Sequence, residues 1–162
     1  MLFRSAACRP NGSWDVAFEG ISVPVSESLA ERLSYYMSRP FKPGQYKNLM
    51  TAFPEINFLD YTKNAGRFLR QLPENYHLTF SLSETNEKAA RGVLANGGNV
   101  AAVFANGLPD SYLGRPVIDG DLHDLRFLDP KGGFIIGLSP KGSKAKRDRS
   151  GFVIRQYEAR NA

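Results

Sequence analysis

Thiols are nearly absent from this sequence. Cys8 is the only cysteine, and one thiol makes neither an internal disulfide nor a cysteine metal cluster. A chain this poor in cysteine is expected in a reducing cytoplasm. Histidine is scarce too: His77 and His123 are the whole supply, so a typical zinc site would need carboxylates. Long apolar runs are missing. None approaches the ~20 residues of a membrane span, so no membrane partner is expected. Met1–Cys8 has an arginine but no long apolar core, which argues against a secretory signal.

Several catalytic motifs are also missing. There is no phosphate loop ending in Gly-Lys-Ser/Thr, no GxGxxG after a strand and no G-x-S-x-G elbow. His77-Leu78-Thr79 matches half of a two-histidine phosphoesterase pair, but His123 is followed by Asp124-Leu125, so the second half is lacking.

What is present is a chain of 162 residues, long enough for one domain spanning 1–162 that buries roughly 70% of its unfolded surface. Its net charge of +5 is unevenly placed: residues 131–162 carry +6 and residues 1–130 carry −1. A basic end of this kind suits an acidic partner, nucleic acid being the usual one, and equally suits a solvated, solubilising tail. Five of its eight Lys/Arg cluster as Lys141, Lys144, Lys146, Arg147 and Arg149. Just ahead of it, four aspartates, a histidine and an arginine fall between Asp119 and Asp129. Burying them together would be costly, so they are expected to be solvated, paired, or facing a ligand.

The middle of the chain reads as a regular alternation. Strands are expected at Ile56–Tyr61, Tyr76–Leu82 and Asn99–Phe104, with helices at Ala65–Leu72 and Thr85–Ala95, the latter capped by Ser83. Short links between them predict an α/β fold with a mainly parallel sheet built from strand–helix–strand units. Ahead of it, Ser26 or Ser28 is expected to cap a helix from Leu29 to Met37, and Tyr46–Phe53 reads as a second helix. Beyond it, Val117-Ile118 reads as the start of a short strand or as a tight loop, and Phe134–Leu138 and Gly151–Arg155 as further strands, with a basic loop before the last.

Ligands of parallel α/β sheets bind at the carboxyl ends of the strands. If Ala7–Pro10 is extended, that rim gathers Asn11, Asp15, Asp60, Lys63, Ser81 and Glu84, joined by Asp119, Asp121 and Arg126. Asp60, Lys63, Glu84, Asp119 and Asp121 are therefore the candidate catalytic residues. Asp119-Gly120-Asp121 resembles a hard-cation loop and is the candidate divalent-metal pair, although it lacks the later ligands of a calcium loop. The bland readings stay open: Asp60 pairing with Lys63, Ser83 and Glu84 as ordinary first-turn residues, and Asp121 or Asp124 pairing with Arg115 or Arg126 to fix a loop.

Seven runs carry a resemblance. They are Arg9–Asp15, Phe58–Lys63, Leu72–Ser81, Asn99–Phe104, Val117–Pro130, Gly137–Gly142 and Asp148–Val153. Together they resemble uncharacterised phage- and plasmid-borne proteins related to the phage gene-product-88-like domain. The resemblance implies part of a (β/α) barrel, the later half of a radical-SAM-like one, whose longer relatives carry a cysteine segment ahead of this region. With Cys8 alone, iron–sulfur chemistry is not expected of this chain. Half a barrel leaves a sheet edge or apolar face to be covered, by the Leu29–Phe53 region or by a second copy in a homodimer.

Three functions follow as expectations. The first is an accessory protein of a phage or plasmid that binds nucleic acid or a nucleoprotein complex. Lys141, Lys144, Lys146, Arg147 and Arg149 would sit on phosphates, with Tyr61, Phe104 and Tyr112 as stacking groups. The second is a metal-assisted enzyme acting on a nucleotide or phosphodiester at the acidic rim. The third is a protein inhibitor of a host defence complex, similar in role to an anti-CRISPR.

Overall fold

The computed structural model describes residues 6–12 and 14–156. Ser13 of the opening turn, and residues 1–5 of the Met1–Cys8 segment, lie outside them. The chain opens with β1 (Ala6–Cys8), a 3-10 turn (Phe18–Gly20), β2 (Val23–Val25), α1 (Glu27–Met37), β3 (Gly44–Tyr46) and α2 (Leu49–Ala52). The regular part follows: β4 (Ile56–Thr62), a 3-10 turn (Ala65–Leu69), β5 (Tyr76–Ser81), α3 (Glu87–Ala95) and β6 (Asn99–Phe104). The last part holds β7 (Ser111–Tyr112), β8 (Arg115–Asp119), a 3-10 turn (Arg126–Leu128), β9 (Ile135–Leu138), α4 (Gly142–Lys146) and β10 (Val153–Ile154).

The strands β4, β5, β6, β8, β9 and β10 fall where alternation and apolar runs place them, β3 and β7 had no such signal, and the helices are less faithful. Helix α1 begins at Ser26, whose hydroxyl accepts from the Leu29 amide at 3.3 Å. Tyr46 is not helical, because β3 pairs with β2. Only Leu49–Ala52 coils, inside a capping box made by Asn48 and Thr51. The segment Ala65–Leu69 holds Gly66 and has Pro73 close behind, too little for a stable α-helix, and it closes as a 3-10 turn. Ser83 does not cap α3; its amide donates to the Asn86 side chain at 2.7 Å, and Asn86 also donates to the Ser81 carbonyl at 3.0 Å. The basic segment, expected as a loop, contains the single helical turn α4.

The main sheet runs in the order β1-β4-β5-β6-β9-β8-β7. Every pairing from β1 to β8 is parallel, and β7 alone is antiparallel, on β8. The fold is α/β with a mostly parallel sheet. The sheet is open: no pairing among the described strands closes it into a barrel. Strand β10 pairs with β6 at Val103 and Phe104, while Val103 also faces Leu138 of β9. It therefore occupies the β5 side of β6, in the place left where β5 turns away after Ser81.

Side chains alternate across the strands. One face presents Phe58, Leu78, Phe80, Val100 and Ile135 and is covered by α3 and the Ala65–Leu69 turn. The other presents Leu59, Tyr61, His77, Ala101, Ile136 and Leu138. Its cover is the aspartate-rich stretch itself. The order β4-β5-β6 advances across the sheet, but β9 falls back between β6 and β8. A right-handed crossover that runs backwards must pass over the opposite face. The link from β8 to β9, residues 120–134, does so. Its 3-10 turn packs on β4 and β5, with Phe127 against His77 at 5.8 Å between ring centroids.

Gly120 makes this possible. A Cβ there would stand 2.5 Å from Ile136 Cγ2 and 2.9 Å from Leu138 Cδ2. Gly120→Ala is accordingly expected to lift the segment from the sheet and cost about 1–3 kcal/mol, the usual penalty of overpacking. Urea denaturation of the two proteins measures it.

Candidate functional site

The reversal at β6 and β9 creates a crevice. The connection leaving β6 passes over the first face, where Leu108, Tyr112 and Leu113 join its core. The connection leaving β9 turns toward the second, where Ala145 borders a cleft. Such switch points are where open parallel sheets bind ligands. The cleft here has a volume of about 550 Å³. Its floor is Ala7, Leu59, Val103 and Leu138; Tyr61, Leu125 and Phe152 wall it; Arg9, Asp121, Asp124 and Lys141 stand at its rim.

Arg9 lies just past the end of β1. Its guanidinium sits over the Tyr61 ring, 4.9 Å from the centroid, and its Nε is 3.9 Å from Asp60 Oδ1. Lys63, at the end of β4, reaches toward the Phe152 ring at 5.9 Å. Arg9, Tyr61 and Phe152 thus line the cleft, and Lys63 approaches it through Phe152.

Asp121 ties the rim together. One oxygen accepts from the Ser139 amide at 2.7 Å and the other pairs with Lys141 at 3.2 Å. Burial tends to raise its carboxyl, but the Ser139 and Lys141 hydrogen bonds outweigh this and hold it below the ordinary value. Asp119 is exposed and accepts from the Asp121 amide at 2.9 Å. The expected partners of Asp121, Arg115 and Arg126, are elsewhere. Arg115 donates to the Leu94 carbonyl at 3.2 Å. Arg126 is buried under the second face, donates to the carbonyls of Gly120 and His123, and pairs with Asp129 at 3.4 Å. Among the described residues no group of three or more His, Cys, Asp or Glu side chains converges as a metal site.

The basic segment rises beside the cleft. Lys141, Lys144, Lys146, Arg147 and Arg149 are all exposed. Their backbone is nonetheless pinned: Arg155 donates to the Lys146 carbonyl at 2.7 Å and the Asp148 carbonyl at 3.0 Å, and Asp148 accepts from Ser150 and Val153. Of the proposed stacking groups, Tyr61 faces the cleft. Phe104 does not: it is 1% exposed and packs edge-on against Tyr112 at 5.3 Å.

Behind the rim lies a buried polar network. Arg67 donates two hydrogen bonds to Glu19, at 2.9 and 2.7 Å, one to Asp15 at 2.8 Å and one to Tyr76 at 2.7 Å. The Tyr76 hydroxyl donates to Asp60 at 3.1 Å, and Asn11 donates to the same Asp60 oxygen. Asp15 also accepts from the Thr62 hydroxyl at 2.7 Å and the Lys63 amide at 3.0 Å. Asn11, Asp15, Asp60 and Lys63 thus meet at one strand-end corner as expected. Glu84 stands apart from them, exposed and beside Gly151. Arg67 and Glu19 had no signal in the sequence beyond their charge. Arg9 and Phe152 lay inside the resembling runs without a role.

The model of the gene product 88 family matches residues 33–156, about three quarters of the chain. The chain belongs to the gene product 88 family. Searches of curated proteins and of solved structures returned no match. The gene product 88 match takes in β4 through β10 and hence the switch-point crevice, while β1 with Arg9, the turn bearing Asn11 and Asp15, and Glu19 precede it. No helix among the described residues is long and apolar enough to cross a membrane.

Two outcomes test the network. Arg67 and Glu19 side chains are 2% and 6% exposed, so Arg67→Met strands a buried carboxylate and is expected to cost about 3–5 kcal/mol in urea denaturation. Asp60 behaves differently. Burial pushes its carboxyl above the ordinary 3.8, only partly opposed by Asn11, Tyr76, Arg67 and Arg9. As pH rises past 3.8 the unfolded chain releases this proton first, so the folded state loses stability until the raised value is passed. Asp60→Asn lacks that loss. Its stability relative to the natural protein is expected to improve between pH 4 and pH 8, and a difference constant with pH would contradict the assignment.

Proposed function

We propose that the chain binds nucleic acid, alone or within a nucleoprotein complex, as an accessory protein of a phage or plasmid. The observation that carries this reading is a run of five exposed cations, Lys141, Lys144, Lys146, Arg147 and Arg149, on a pinned backbone that starts at the cleft rim with Lys141. A solvated tail needs no such anchoring. Asp148 and Arg155 fix the segment's path, which reduces the ordering cost of laying it on a phosphate backbone. The acidic residues favour the same choice over metal-assisted hydrolysis. Asp121 holds Ser139 and Lys141, Asp119 holds the Asp121 amide, and Asp60 is engaged by Asn11 and Tyr76.

Phosphate contacts release counterions, so affinity should fall steeply with salt. Replacing Lys144, Lys146 and Arg147 together by alanine is expected to reduce the slope of log affinity against log salt by about 2–3 units. Fluorescence anisotropy with labelled DNA and RNA strands reads this directly. Affinity untouched by the triple substitution would remove the segment as the contact surface. Absence of binding at low salt would remove nucleic acid as the partner.

A further inference from the structure

The phosphate contacts leave the cleft itself unused. Its floor is apolar and formed by four parallel strands, and its walls carry the rings of Tyr61 and Phe152. Its volume of about 550 Å³ lies within the range of small-molecule sites. We propose that the cleft takes one unstacked base of a single-stranded nucleic acid, while the neighbouring phosphates lie on the basic segment. The inference rests on the nucleic-acid reading above and adds which form of the polymer is bound, and where its base goes.

Three observations converge on a base. The first is the Arg9–Tyr61 pair. Arg9 is about half exposed, its guanidinium lies over the ring, and buried Asp60 holds its Nε from behind. Guanidinium planes and aromatic rings are the surfaces on which unstacked bases rest. The second is the sign of the rim. With Asp121 paired to Lys141, the carboxylate of Asp124 at the cleft rim would repel a phosphate entering it, yet carboxylates accept hydrogen bonds from the exocyclic amino groups of bases. The third is continuity. Lys141 and Ala145 belong both to the cleft wall and to the basic segment, so base and phosphate sites adjoin. A duplex keeps its base faces within the stack and presents only edges, whereas a recessed apolar floor needs a face.

The test compares strands of equal charge. A labelled single-stranded oligonucleotide, an abasic phosphodiester strand of the same length and the matching duplex are titrated by anisotropy. The base-bearing single strand is expected to bind about 5- to 150-fold more tightly than the abasic one, the usual worth of a stacked base. Tyr61→Leu should shrink that ratio. So should Arg9→Lys, which keeps the charge and loses the plane at an exposed position, while leaving the salt slope unchanged. Equal affinity for base-bearing and abasic strands, or a preference for duplex, would overturn the cleft assignment and leave the phosphate contacts standing. Failure of every strand to bind at low salt would overturn both.

Discussion

Arg67 is the residue on which the arrangement most depends. It issues from the five-residue turn between β4 and β5 and reaches across the sheet end to Glu19, Asp15 and Tyr76. A buried guanidinium is tolerable only where planar acceptors meet it, and Glu19 meets it with both oxygens. This fastens the irregular opening of the chain to the sheet. Once Asp15 and Asn11 are held there, β1 has its register against β4, and Arg9 emerges over Tyr61 at the rim of the cleft. A buried polar cluster thus also positions an exposed cation at the cleft rim.

The second constraint is the handedness of crossovers. The strand order reverses at β9, so the link that feeds it must cover the face that α3 does not. That link is the aspartate-rich stretch. Arg126 gathers it into a compact turn through backbone carbonyls and Asp129, and Gly120 lets it lie against Ile136. The same reversal opens the crevice. A density of carboxylates that suggests chemistry in one dimension is largely used in three dimensions to fold a crossover and fasten it to the basic segment through Asp121 and Lys141.

Much of the site was legible in part. Asp15, Asn11, Asp60 and Lys63 meet because strand ends of a parallel sheet share one rim, a rule that needs only the strand positions. The five cations are exposed because no large apolar residue is interleaved with them, only Ala145. The partner of Asp121 was not legible: Lys141 lies twenty residues on and meets it only because β8 and β9 are neighbours. Phe104 was misjudged as a stacking group, since alternation along β6 turns it into the core with Tyr112.

The sequence by itself determined the α/β class, the strand positions and the separation of an acidic stretch from a basic end. Those properties are local: apolar periodicity, turn residues and charge are all read within a window of several residues. Helix extents were less secure, because Ala65–Leu69 and Leu49–Ala52 are too short for propensity to decide them. Only the tertiary structure decided that β9 inserts between β6 and β8, that β10 replaces β5 beside β6, and that Arg9, Tyr61, Phe152 and Lys141 border one cleft. These are contacts between residues far apart in the chain, and they are set by crossover handedness and by which buried charges find acceptors, neither of which any short stretch of sequence contains.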